Sequence, residues 1–158
     1  MEVCQTPRGG QLTLHAPGQL VAYPVVRVGK FVRAHVHRLA DTTLELLAEL
    51  GVPPCHYGKA HPGVWLGADE DSPPTDGIPR KIASIGIHVS RGVTVQGLSL
   101  NVDVNPRLFG ALVSCGLPQV QMSSISDFAE ATDMPTLAQR WAEIYARRAG
   151  LALDGPVV

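Results

Sequence analysis

The stretch "RKIASIGIHV", residues 80–89, decides how the chain is read. Taken with a period of two, it sets Lys81, Ala83, Ile85, Ile87 and Val89 on one side, and four of these five are apolar. That is the inward side of a half-buried strand. The alternate residues Ile82, Ser84, Gly86, His88 and Ser90 are mostly small or polar and suit a wetter side. A lysine therefore leads a face that reads as buried. The bland explanation is a strand-end lysine whose stem packs inward while its amine reaches out to water.

Around this strand the spacing predicts a mixed α+β domain. "QLTLH", 11–15, alternates and reads as a strand, and "QLVAYPVVRV", 19–28, reads as a strand covered on both faces, with Pro24 hinting at an edge or bulge. Residues 32–50 carry Val32, Val36, Leu39, Leu46, Leu47 and Leu50 at helical spacing, with Thr43 in the same stripe and Gly51 as the stop. "GVWLG", 63–67, is a short strand, and the acidic, proline-rich "ADEDSPPTDGIPR", 68–80, is a loop expected to move. "SRG" turns the 81–89 strand into "VTVQGLSLNV", 93–102, as a hairpin. The second strand changes phase at Gln96–Gly97, where glycine suits a bulge or a close backbone approach. "NPRLFGALVSCG", 105–116, is a loop with one helical turn. A second amphipathic helix spans 136–150, with Asp133 as cap, Pro135 in its first turn, Leu137, Trp141, Ile144 and Tyr145 inward, and Gly150 at its end.

Composition bounds the function. The 158 residues suffice for one domain, assigned to 1–153 with a disordered tail at 154–158. Hydrophobic residues make up 45% and charged residues 17%, which excludes a disordered chain. The 13 basic and 14 acidic residues give a net charge of −1 without a basic block, so nucleic acid is not the expected partner. No apolar run approaches the roughly 20 residues of a membrane span, and "MEVCQTPRGG" is not a signal peptide. Cys4, Cys55 and Cys115 form neither a disulfide framework nor a zinc site, and a reducing cytoplasm fits them. No Rossmann or Walker loop is present. None of the six histidines has metal-ligand spacing, and His35 and His37, two apart on a helix, face different directions. Cys115 before Gly116 reads either as a small core hydrophobe or as a nucleophile beside a backbone N–H able to hold an oxyanion.

Several separate motifs, from about Arg8 to about Leu151, together resemble the octanoyltransferases of lipoate biosynthesis, the lipoate-protein ligase B family. They are "RGGQLTLHAPGQLVAYP", "PGVWLG", "KIASIGIHVSRGVTVQGLSLNV" and "NPRLFGALVSCGL", in the family's order. The resemblance implies the biotin/lipoate-ligase fold, a mixed sheet flanked by helices. It implies that Cys115 is the acyl-carrying nucleophile and Lys81 its acid/base partner. It places Arg8, Gly9, Gly10, His15, Gly18, Ser84, Gly86, Gln96, Gly97, Asn101 and Gly116 on the substrate. It further implies transfer of octanoyl from octanoyl-acyl carrier protein to a lysine of lipoyl domains, those of 2-oxo acid dehydrogenase complexes and of the glycine cleavage H protein. No cofactor and no ATP are expected. Burial disfavours a charged amine, so an inward lysine would be available as the base that both half-reactions need.

The sequence departs from the family in places. Ala16 stands where the family has a glycine, Gln96 stands where it has a histidine, and the 68–80 loop is longer than expected. Family members carry several dozen residues before the arginine-glycine-glycine motif, whereas Met1 lies seven residues before Arg8. A shortened sheet is expected to expose an apolar face and an unpaired edge. The alternatives are a non-catalytic relative that binds acyl carrier or lipoyl domains, an ATP-dependent lipoate or biotin ligase relative, and a cysteine hydrolase.

Overall fold

The computed structural model describes residues 4–7, 9, 12–71, 74, 76–111, 120–130 and 133–155. A sheet and two helices form two layers. The sheet is built from β1 (Gln19–Ala22), β2 (Cys55–Gly58), β3 (Gly63–Leu66), β4 (Arg80–Ile85), β7 (Leu98–Asn101) and β8 (Gln121–Met122). Its order is β1-β7-β4-β3-β2, all antiparallel, with β8 added parallel to the start of β4. A separate two-stranded ribbon, β5 (Val89–Ser90) and β6 (Val93–Thr94), projects between β4 and β7. The helices are α1 (Val32–Glu49) and α2 (Met134–Ala149).

The helices form where the spacing places them. Asp133 accepts a hydrogen bond from the Thr136 backbone N–H at 3.0 Å, and Gly150 ends α2 in the left-handed region. Leu137, Trp141, Ile144 and Tyr145 are buried against α1. Thr43, in the apolar stripe of α1, is satisfied there: its hydroxyl bonds the Leu39 carbonyl at 2.9 Å and accepts from the Trp141 indole at 3.1 Å. On the outer side, Arg140 pairs with Glu49 at 2.6 Å, and Arg147 and Arg148 converge on Glu45.

Successive side chains on each strand go to opposite layers. Leu20, Leu100, Ala83 and Val64 stand in one cross-strand row and face the helices as the core. The opposite row is Val21, Ser99, Ser84, Gly63 and Gly58. Small residues dominate it, so the outer face of the sheet has a shallow trough running across the strands.

The strands depart from the sequence reading in four places. Residues 12–16 form no strand; the Gln19 side chain occupies their backbone instead, bonding the Leu14 carbonyl and the Ala16 N–H. The 19–28 run stops at Ala22, before Pro24, and lies on the sheet edge rather than under cover: Val21, Tyr23 and Val25 are all exposed. Among the described residues β1 pairs with β7 alone, and Val21, Tyr23 and Val25 are exposed on it and just beyond it. The 81–89 strand breaks after Ile85, and β4 pairs directly with β7, so "SRG" closes only the small ribbon. Finally, Val64 opposes Ala83 while the next residue, Trp65, opposes Lys81, so β4 spends an extra residue there. That bulge reverses the parity of Lys81. The phase slip at Gln96–Gly97 is observed as expected: β6 ends at Thr94 and β7 begins at Leu98. A Cβ on Gly97 would stand 2.1 Å from the Ala22 carbonyl oxygen, a close approach only glycine allows.

Candidate active site

Lys81 is turned by the bulge away from Ala83 and onto the outer face, beside Trp65, Gly63 and Ser84. It is nonetheless only 2% exposed. Its side chain passes over Gly63, where a Cβ would come within 2.2 Å of Cε and 2.9 Å of Nζ. Its amine lies 5.0 Å from the centre of the Trp65 ring. Trp65 is itself fixed, its indole N–H donating to the His61 carbonyl at 3.1 Å. The lysine that leads the quoted stretch is thus buried on the trough side of the sheet, not in the helix-covered core.

A cavity of about 600 Å³ opens over this lysine, with Gly9, Thr13, Tyr57, His61 and Ser84 among its walls. Gly9 is held there by its N–H, which donates to the Ile87 carbonyl at 3.1 Å just beyond β4. A smaller cleft adjoins it, lined by His15, Gln96, Gly97 and Ser99, and shares Thr13, Ser84 and Gly86 with the cavity. The structure therefore gathers Lys81, Gly9, His15, Ser84, Gly86, Gln96 and Gly97 along one trough.

Two further candidates act from behind it. Asn101 is buried; its amide N–H₂ donates to the Ser123 carbonyl at 2.9 Å, and its Oδ1 accepts from Gln19 Nε2 at 2.9 Å. Through Gln19 it ties the loop bearing His15 to the sheet. Gly18, at φ +90°, lets the chain pass against Asp103, whose carbonyl would lie 1.9 Å from a Cβ. Arg8, Gly10, Cys115 and Gly116 lie outside the described residues.

Sequence reasoning passed over Thr13, Arg33, Tyr57, His61 and Ser99, which line these spaces, and Gly63, which makes room for Lys81. Only Gly63 left a signal, as a glycine opening a strand. Among the described residues no three His, Cys, Asp or Glu side chains gather closely enough to hold a metal ion, and no helix is long and apolar enough to cross a membrane. His35 and His37 do face apart: His35 is buried against the Tyr145 hydroxyl at 3.2 Å, and His37 packs on Tyr57. Burial, then the Arg38 charge, hold His35 below the usual histidine value. Burial pushes the Cys55 thiol up to about 11.

A mixed sheet with two helices on one face and a lysine-bearing trough on the other defines the lipoate-ligase type of α+β fold. The chain is similar to a bipartite lipoate protein ligase from Thermoplasma acidophilum, with a TM-score of 0.67 over 96% of this chain and 59% of that one at 11% identity. The family model for the lipoyl protein ligase A/B catalytic domain matches residues 1–146, and the chain belongs to that family. Among its relatives, an octanoyltransferase from Desulfovibrio desulfuricans is 38% identical over 90% of this chain and 57% of its own length. One from Magnetococcus marinus is 40% identical over 90% of this chain and 63% of its own length. The chain thus spans about three fifths of the length of these relatives.

Proposed function

We propose that the protein transfers octanoyl groups through a thioester on Cys115, with Lys81 as acid and base. The supporting observation is Lys81 itself, an amine 2% exposed yet opening on a 600 Å³ cavity. Trp65 and the Gly63 backbone enclose the side chain, while the cavity gives a substrate access to it. The relatives' names supply the reaction, and residues 1–153 are read as one catalytic unit.

In the first half-reaction Lys81 takes the proton of the Cys115 thiol, and the thiolate attacks the octanoyl thioester of the acyl carrier protein. The new carbon–sulfur bond forms as the old one breaks, and the carrier thiolate leaves with the proton from Lys81. In the second, a lipoyl-domain lysine attacks the Cys115 thioester. Its surplus proton passes through Lys81 to the departing thiolate, leaving an amide. Thioester exchange is nearly even and amide formation is downhill, so no ATP enters. Gly9, His15 and Ser84 line the substrate path, and the family resemblance assigns Arg8, Gly10 and Gly116 to the substrate as well. The donor is cytoplasmic octanoyl-acyl carrier protein; the acceptors are lipoyl domains of 2-oxo acid dehydrogenase complexes and the glycine cleavage H protein.

Intact-mass measurement after incubation with octanoyl-acyl carrier protein tests this. One octanoyl group is expected on the protein, mapped to Cys115 and absent in Cys115→Ala. Lys81→Ala is expected to slow its appearance severely and to shift the pH profile of Cys115 alkylation upward. An unshifted alkylation profile refutes the lysine–thiol coupling.

A further inference from the structure

Gln96, on the wall of the side cleft, carries a buried atom with nothing to bind. Gln96 Oε1 is buried and has no hydrogen-bond partner among the described residues. Most buried polar atoms find partners, so an orphan needs a reason. Gln96 is also poorly placed to swing away. Its neighbour Gly97 lies pressed against the Ala22 backbone, and the Gly97 carbonyl accepts from Gly86 N–H at 2.9 Å.

The surroundings narrow what could pair with it. Thr13, Ser84 and Ser99 bring hydroxyls to the cleft wall, and His15 an imidazole. The main cavity adds Val36, Pro62, Ile85 and Ile87, beside Arg33, Tyr57, His61 and Lys81. The shared Thr13, Ser84 and Gly86 make the two spaces continuous. The cleft end is open to water, His15 being exposed and Tyr23 48% exposed.

An acyl thioester on a carrier has two unlike halves. The hydrocarbon tail has no donor and suits the Val36, Pro62, Ile85 and Ile87 part of the main cavity. The thiol arm bears amides and must leave toward the carrier, through an opening. We infer that Gln96 accepts a hydrogen bond from an amide N–H of that pantetheine-type arm, and that the side cleft is the arm's exit. This rests on the acyl-transfer reading above and names the part of the donor that the trough selects.

Unreactive thioethers test it by calorimetry on the intact chain, with no turnover required. S-octyl-pantetheine carries both halves; S-octyl-2-mercaptoethanol keeps the tail and lacks the amides. The protein is expected to bind the first at least tenfold more tightly, and Gln96→Met is expected to bring that ratio close to one. Gln96→Glu, which keeps an acceptor, is expected to retain a preference. An unchanged ratio in Gln96→Met overturns the inference, since a water would then satisfy Oε1. An equal loss for both probes overturns it as well, because Gln96 would only shape the sheet. So does the absence of any preference in the unaltered protein. A third probe, 8-hydroxyoctyl-2-mercaptoethanol, reports the remaining case: tighter binding that depends on Gln96 would place the tail tip in the cleft and refute the exit. A protein that transfers octanoyl yet shows no preference sinks this inference alone. A protein with the preference and no octanoyl adduct sinks the acyl-transfer reading instead.

Discussion

Gly63→Ala puts a methyl group where Lys81 now lies, and the outcome can be worked from the distances. The new carbon would stand 2.2 Å from Lys81 Cε, 2.9 Å from Nζ and 2.5 Å from the Ala83 carbonyl oxygen. Carbon atoms rest about 3.5 Å or more apart, so Cε must retreat by roughly 1.3 Å. With Lys81 2% exposed there is little room for this, and the Ala83 carbonyl belongs to a central strand. Overpacking of this kind costs about 1–3 kcal/mol. For a chain of this size that lowers Tm by roughly 2–12 °C. Catalysis is expected to suffer more, because a misplacement of about 1 Å can cost about a hundredfold in rate. Urea unfolding gives the first quantity and single-turnover acylation by octanoyl-acyl carrier protein gives the second. A double-mutant cycle then isolates the contact. With Lys81→Ala in place, the added methyl loses its clashes with Cε and Nζ and keeps that with the Ala83 carbonyl, so Gly63→Ala should cost at least about 0.5 kcal/mol less than in the parent. Strictly additive costs, or a Gly63→Ala protein with parental stability and rate, would show that the lysine does not lie over Gly63.

Three other outcomes follow from buried groups. His35 has a lowered pKa in the folded protein, chiefly from burial, so the unfolded chain binds its proton first as pH falls. Its contribution to stability is full above the unfolded value of about 6.5 and declines below that toward the lowered folded value. Urea midpoints at pH 8, 6.5 and 5 should fall in that order, and the slope should flatten in His35→Gln. Cys55, raised to about 11, should have about one thiolate per thousand at pH 8, so iodoacetamide should label the exposed Cys4 well before it; peptide mass mapping reads the order. Asn101→Ala removes a buried amide, leaving Gln19 Nε2 and the Ser123 carbonyl short of one bond each. A loss of about 2 kcal/mol in urea unfolding is expected.

What the sequence showed depended on how local the determining contact was. The helices were legible almost to the residue, because caps and an apolar stripe are written within one element: Asp133, Pro135 and Gly150 mark α2 without reference to anything distant. The glycine at the phase slip was legible too, although its reason, the Ala22 carbonyl, is not local. The strands failed where pairing decided. Residues 12–16 alternate as a strand should, yet a side chain three to five residues downstream claims their backbone. The run at 19–28 looks doubly covered because it is apolar, but it occupies the sheet edge, where composition does not show which face is bare. Arg33, Tyr57 and His61 reach the cavity from α1, β2 and the turn after it, and no spacing links them.

The bulge in β4 shows why the lysine could be singled out and still be read on the wrong side. Strict alternation carries Lys81 into the helix-covered layer, among Ala83 and Val64, where an amine has no access to substrate. One extra residue opposite the Val64–Trp65 step returns it to the trough, where Trp65 and Gly63 enclose it and a cavity reaches it. Burial and access are usually in competition: a core lysine is dry and unreachable, a surface lysine reachable and solvated. Here a flat indole and a side-chain-free backbone position exclude water from the outer face of a sheet, so one side chain has both. Trp65 is therefore as necessary as Gly63. Trp65→Ala should admit water beside Lys81 and slow acylation of Cys115 more than it weakens binding of the octyl thioethers. Equal effects on both would mean that the indole serves only as a wall of the cavity.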